Sequence, residues 1–323
     1  MKYEILYNSF LEEITQKIPQ RTGLVNTLAD MLCIGKEAVY RRLRREVPFT
    51  LYEAMTISRQ LGISLDSLKM DELSTSKPFQ LRLIEYINPA ESDFALLEEM
   101  NVILKSLKDT PDAKGCEVTN ILPQPLYIAY EHLFKFYLFK WRYLSNRSSK
   151  AIPYKDIIIE NRLKKFQEEN VVLAKHLHTE YIFDNLLFYY LATNIKYYYR
   201  IDLITSKEVQ LIKLDLLKIL DQIDSWSRTG FFKETGKKIN IYVSNVNVDT
   251  NYIYMDMPGH QLTIIKAFLI NGIASTDKRT FEELKHWIRS MKRQSILISG
   301  SSEIERVNFL EEQHKIIESL SQL

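Results

Sequence analysis

Cysteine is nearly absent: Cys33 and Cys116 are the two in 323 residues, with neither a CxxC pair nor a disulfide framework. That excludes a disulfide-stapled scaffold and suits a reducing cytosol. Glycine is also scarce, at nine residues. A Walker lysine and the spaced glycines of a dinucleotide loop are both missing. No apolar run is long enough to span a bilayer; the most apolar stretch, Leu186 to Ile195, is bounded by Asp184, Lys196 and Arg200. Met1-Lys2-Tyr3-Glu4 is charged where a secretory signal would be apolar. Ser/His/Asp, paired-carboxylate and HExxH arrangements leave no trace, so the expectation is a non-enzymatic, cytoplasmic protein without cofactor, metal or membrane partner.

A large charge excess is missing as well. The net charge is +2, too little for a protein that coats nucleic acid with its whole surface. Met1 to Met70 holds ten Lys and Arg against eight Asp and Glu, so the excess sits there and the rest of the chain sums to zero. What is present in quantity is apolar material, 46% of a chain long enough for two or three domains.

The basic residues concentrate in Cys33 to Glu46, where Lys36, Arg41, Arg42, Arg44 and Arg45 fall within about three helical turns. Wound as a helix, Gly35, Val39, Leu43 and Glu46 fall on one side and Glu37, Tyr40, Arg41 and Arg44 on the other. Upstream, Leu24, Val25, Leu28, Ala29 and Leu32 form a second apolar stripe able to cross it. Ahead of both, Ile5, Leu6, Phe10, Leu11, Ile14 and Ile18 mark a helix that Pro19 ends. Thr50 and Glu53 sit at capping-box spacing before Leu51 to Leu61, and Gly62 follows as a left-handed stop.

Leu28-Ala29-Asp30-Met31-Leu32, then Ile34, Val39 and Leu43, then Leu51 to Leu61 with Gly62-Ile63-Ser64, resembles the phage-repressor-like (XRE-type) helix-turn-helix family over Thr22 to Leu68. Gly35 stands where that family usually has a hydroxyl cap, and Val25 where it often has a glutamine that touches phosphate. The resemblance implies that the second helix enters the major groove of double-stranded DNA. Lys36, Glu37, Tyr40 and Arg41 are then the base-contacting candidates, since Arg or Lys pairs with guanine and Glu accepts from cytosine. Thr22, Arg42, Arg44 and Arg45 are the candidates for the phosphate backbone. Each good base contact contributes about 1–3 kcal/mol of discrimination, too little from one helix to select a genomic site, so a homodimer is expected.

Beyond residue 70, Asp71 to Pro78 is polar and reads as a linker. Ser92 to Leu107 carries an apolar stripe that pairs with its own copy or caps the next core. Aromatic helical stretches follow from Pro125 and from Tyr181 to Tyr199, and Thr205 opens a long amphipathic helix ending near Gly230. Their tyrosines, Tyr127, Tyr130, Tyr137, Tyr189, Tyr190 and Tyr197 to Tyr199, either pack or line an effector pocket. His176 and His178 lack the partners of a closed zinc site in a stretch that reads as helix or helix end. The period changes at Ile239: three strands to Ile270, a helix from Thr280 to Arg293, a strand at Ser295 to Ile298, the turn Ser299 to Ser302, and a last helix.

The fold class expected is mainly α. An N-terminal helix-turn-helix domain (1–70) is followed by a linker (71–78), a central helical bundle (79–235) suited to dimerisation or sensing, and a small C-terminal α+β unit (236–323). The functional expectation is a DNA-binding transcriptional regulator with room for a small-molecule or peptide effector. The order also resembles peptide-sensing regulators, from whose all-helical bodies the strand-rich Ile239 to Ile270 departs. The alternatives are an enzyme or nucleotide-binding protein with its site in the C-terminal α+β unit, where Ser299-Gly300-Ser301-Ser302 precedes a helix, and a protein-interaction module.

Overall fold

A computed structural model describes residues 2–18, 21–63, 65, 68, 80–82, 84–108, 110, 112–145, 151–258 and 260–322. The expected linker Asp71 to Pro78, and most of the expected turn Leu65 to Met70, lie outside these residues. The chain divides into two units, Met1–Phe79 with Ser275–Thr280, and Gln80–Ala274 with Phe281–Leu323.

Among the described residues the first unit holds four helices. In α1 (Lys2–Lys17) the inward stripe is Phe10, Leu11 and Ile14, and in α2 (Arg21–Leu32) it is Leu24, Val25, Leu28 and Ala29. The second helix stops because Cys33 turns left-handed (φ 53°) and the Ile34 amide donates back to the Ala29 carbonyl at 3.1 Å. After this short turn α3 (Lys36–Leu43) buries Val39 completely. The expected capping box opens α4 (Leu51–Leu61): the Glu53 amide donates to Thr50 Oγ1, and the Thr50 amide donates to the Glu53 carboxylate. Gly62, at φ 64°, closes it. Both α3 and α4 pack on α2, and one hydrophobic core draws on all four helices.

The second unit is built on a mixed sheet. Its strands are β1 (Gln80–Arg82), β2 (Lys114–Thr119), β3 (His178–Phe183), β4 (Ile239–Ser244), β5 (Tyr252–Met257), β6 (His260–Ala267), β7 (Asn271–Ser275) and β8 (Ser295–Leu297), in the spatial order β1-β7-β6-β5-β2-β3-β4-β8. The pairs β2/β3 and β3/β4 are parallel, and β2/β5, β5/β6, β4/β8 and β1/β7 are antiparallel. Helices α5 (Glu91–Ser106), α6 (Gln124–Tyr127), α7 (Glu131–Ser145), α8 (Asn161–Ala174), α9 (Tyr189–Arg200) and α10 (Ser206–Thr229) come between the strands. The last two are α11 (Lys278–Arg293) and α12 (Glu303–Glu318).

Side-chain alternation divides the sheet cleanly. Tyr181, Phe183, Ile239 and Ile241 join the large core with α7, α10 and α12, while Cys116, Val118, Ile182 and Tyr254 pack against Phe281 and Ile288 of α11. The separate helical bundle at 79–235 and α+β unit at 236–323 are therefore corrected. Two of the central strands, β2 and β3, come from the stretch read as purely helical, and they hydrogen-bond directly to β5 and β4. Most of the expected bundle helices are the crossovers that parallel strands require. The stripe of Ser92 to Leu107 is used within this unit, where Phe94, Leu97, Asn101 and Leu104 are buried and α5 packs on α8.

Gly272 on β7 stands closer to its neighbours than the other described glycines do. A β-carbon there would lie 2.6 Å from Ile264 Cγ2 and 3.2 Å from the Ile265 carbonyl oxygen. Gly272→Ala is expected to lower the unfolding free energy by about 1–3 kcal/mol in urea titrations. Gly115→Ala on β2, whose added carbon meets only Leu177 Cδ1 at 3.7 Å, is expected to leave it unchanged or higher.

Candidate nucleic-acid interface and a buried cavity

Burial sorts the residues of α3 into two sets. Val39 is buried, and Leu43 is half-buried against the same core. Lys36, Glu37, Tyr40 and Arg41 are exposed, so the four base-contacting candidates remain on one open face. Gly35 is the N-cap with extended backbone and contributes no side-chain bond, so the first amides of α3 are left open at that end. Thr22 lies in the first turn of α2, its side chain outside the described residues.

The expected helix through Arg45 and Glu46 is shorter in fact. Arg44 caps α3, Arg45 adopts the left-handed region (φ 66°), and the Glu46 amide donates to the Arg41 carbonyl at 2.9 Å. Gly35 and Glu46, placed on the inward side by the helical wheel, are both exposed because they stand outside the helix. Glu46 instead faces two arginines, at 3.5 Å from Arg41 Nε and 3.8 Å from Arg44 Nη1. The Arg44 guanidinium also lies 5.5 Å from the Tyr40 ring centre. Arg41 and Arg44 side chains are 54% and 62% exposed, so these pairings hold them weakly.

Arg42 is a correction to the phosphate-contact set. Its side chain is 15% exposed, and Nε and Nη2 donate to the two Glu53 carboxylate oxygens at 2.9 and 2.7 Å. Nη1 donates to the Ala38 carbonyl at 3.0 Å. A guanidinium that is largely buried, with its fork filled by a carboxylate and three of its five donors engaged, is poorly placed to reach phosphate. It ties α3 to α4 instead. The bond to Glu53 raises the Arg42 pKa. Burial works against the Glu53 charge, but hydrogen bonds from Arg42 and Thr50 outweigh it and hold that carboxyl below its ordinary value.

The second unit contains a cavity of about 210 Å³ between the sheet and helices α5 and α8. Its wall is mostly apolar, with Leu97, Met100, Phe166, Met255 and Ile264 prominent. Among its described lining residues two carry charge, Glu117 from β2 and Lys266 from β6. Glu117 is 7% exposed, and among the described residues nothing hydrogen-bonds its carboxyl. Burial pushes its pKa up to about 7, with Lys266 opposing the rise. Burial lowers the Lys266 pKa, with Glu117 opposing the fall. The Lys266 ammonium donates one long bond, 3.4 Å, to Gln124 Oε1. The sequence signal for Glu117 is the apolar–polar alternation of Cys116 to Thr119 on β2.

None of the tyrosines read as either packing or lining a pocket lines this cavity. Tyr127 and Tyr137 stack in the core with ring centres 3.8 Å apart, whereas Tyr189, Tyr190 and Tyr197 are exposed. Tyr86 and Tyr181 line the cavity in their place. His178 opens β3, and its Nδ1 accepts from the Lys238 amide, which corrects the helical reading of that stretch. Among the described residues no group of three His, Cys, Asp or Glu could hold a metal.

The turn at Ser299 to Ser302 is occupied by its own protein. Ser299 Oγ accepts from the Ile241 amide, the Gly300 amide donates to the Ser227 carbonyl, and Ser301 Oγ donates to the Leu297 carbonyl. Ser302 is the N-cap of α12 in left-handed conformation, without a side-chain cap bond. Among the described residues no helix is long and apolar enough to cross a membrane. No protein-family model, curated protein or solved structure matches the chain.

The Arg42–Glu53 bridge carries a pH signature. Because the folded Glu53 pKa is depressed, its stabilisation is full above the ordinary carboxylate value and is lost as pH falls through the folded value. Glu53→Gln is expected to cost about 1.5–3 kcal/mol at pH 7. Urea unfolding of wild type and variant followed from pH 7 downward should show the gap closing only below the ordinary carboxylate range.

Proposed function

We propose that the chain is a sequence-specific, double-stranded-DNA-binding transcriptional regulator that acts as a homodimer, with the unit of α1 to α4 as a helix-turn-helix reading head. The observation that carries this reading is the division of α3. Val39 is buried while Lys36, Glu37, Tyr40 and Arg41 stand exposed together on a helix held from behind by α2 and α4. Such a rigid helix with a polar, cationic outer side has the form that enters a major groove.

The roles divide by chemistry. Arg41 and Lys36 offer donors to guanine O6 and N7, and Glu37 accepts from cytosine N4. Tyr40 carries an apolar ring and a hydroxyl to the same floor. Arg44 and Arg45, at the exposed end, hold phosphates. Glu46 acts as a surrogate phosphate in the free protein, keeping Arg41 and Arg44 loosely oriented. An exposed pair of this kind contributes only about 0–1 kcal/mol, so DNA displaces it readily. Val25 is buried and takes no part.

Selected-duplex binding measured against random duplex over a salt series tests the reading. Arg41→Ala is expected to lower specific affinity and relax one position of the preferred sequence, whereas Arg45→Ala weakens all duplexes alike and reduces the salt slope by about 1. Glu46→Gln is expected to strengthen binding to any duplex. Equal losses on selected and random DNA for Arg41→Ala, or no binding by the wild type in dilute salt, would overturn the assignment.

A further inference from the structure

Glu117 and Lys266 bring a carboxyl and an ammonium into one cavity without meeting. They stand on β2 and β6, with β5 between them, so their backbones are two strand spacings, about 10 Å, apart across the sheet and two residues, about 7 Å, apart along it. Ile253 of β5 pairs with Glu117 on one side and Ile264 on the other, and it too faces the cavity. No ion pair within 4.0 Å joins the two charges. Each is therefore left short of a partner from the chain in a mostly apolar chamber, where an unpaired charge is costly.

A molecule that relieves both groups must present a cation to Glu117 and an anion to Lys266. It must also fill the rest of the space with apolar atoms. We propose that the cavity binds a free apolar α-amino acid, its ammonium against Glu117, its carboxylate against Lys266, and its side chain among Leu97, Met100, Phe166 and Ile264. The size agrees: an apolar cavity of about 150 Å³ holds benzene, so about 210 Å³ admits a side chain of the leucine, methionine or phenylalanine class. Acidic and basic amino acids are excluded, because a third charge would find no counterpart in the wall. A simple fatty acid pairs with Lys266 and leaves Glu117 without a cation, and an alkylamine pairs with Glu117 and leaves Lys266 without an anion.

The zwitterion also sets the direction of the pH dependence. The groups around Glu117 are Lys266 from β6 and the phenols of Tyr127 on α6, Tyr137 on α7 and Tyr181 on β3, all three kept protonated by burial. An ammonium ligand needs Glu117 ionised, so apparent affinity rises between pH 6 and pH 8, by up to about tenfold for a carboxyl that titrates near 7. A ligand with a carboxylate alone gives the opposite slope.

Isothermal titration of the full chain with L-leucine, L-methionine and L-phenylalanine tests this, with 4-methylpentanoic acid and 3-methylbutylamine as the one-charge counterparts of leucine. At least one amino acid is expected to bind with Kd below about 1 mM, and each one-charge analogue about tenfold or more weaker than leucine. Glu117→Gln and Lys266→Met should each weaken binding about tenfold or more. Gly115→Val adds bulk to the cavity wall from a strand position that has room for a β-carbon, so it should retain a cooperative melt and lose the ligand. Silence of all three amino acids at about 10 mM, an analogue binding as well as leucine, or a folded Gly115→Val that binds normally would overturn the proposal. The readout is ligand binding rather than DNA affinity, so it stands or falls separately from the reading of α3.

Discussion

Parallel strands cannot be joined by a tight turn, and the pairing of β3 with both β2 and β4 therefore shapes most of the second unit. Each parallel step needs a crossover that leaves the sheet, packs on its face and returns. Helices α6 to α8 make the first crossover, and α9 with α10 makes the second. Their inward faces meet Tyr181, Phe183, Ile239 and Ile241 in one core, while α11 seals the opposite face over Cys116, Val118 and Ile182. Strands covered on both sides lose the alternation of half-exposed sheet. The same packing explains polar groups deep inside. Asp215 of α10, for example, accepts the amides of His132 and Leu133 and so completes the first turn of α7.

In the smaller unit the deciding interaction is the bidentate contact between Arg42 and Glu53. It joins the end of α3 to the start of α4, where Glu53 also serves the capping box. The Tyr7 hydroxyl donates to the Arg42 carbonyl and accepts from the Phe49 amide, so α1 is tied to the same corner. One arginine of the basic cluster is thus a structural fastener. Its neighbours Arg41 and Arg44 stay more than half exposed and pair with the exposed Glu46.

The cavity reflects the opposite use of charge. A carboxyl and an ammonium on the helix-covered face of a sheet would normally be replaced by apolar residues or brought together. Glu117 and Lys266 are neither: they stand on strands separated by β5 and line one cavity.

Local chemistry made part of this readable in advance. Helix starts and stops at Thr50, Gly62, Thr205 and Gly230 depend on neighbouring residues alone, and all four cap as their sequence implies. The inward stripes of α1 and α2 were readable too, apart from Ile5, which is exposed, as was the exposed set Lys36, Glu37, Tyr40 and Arg41, because helical period separates faces without outside help. Strands β2 and β3 are not legible in the sequence, because their pairing partners lie tens of residues away. The fate of Arg42 was equally invisible, since it turned on where Glu53, eleven positions on, would be carried by a different helix. The sequence by itself determined periodicities and caps, which act over a few residues. Only tertiary structure decided which charges are spent inside, which face outward and which two share a cavity, because those outcomes depend on contacts between segments far apart in the chain.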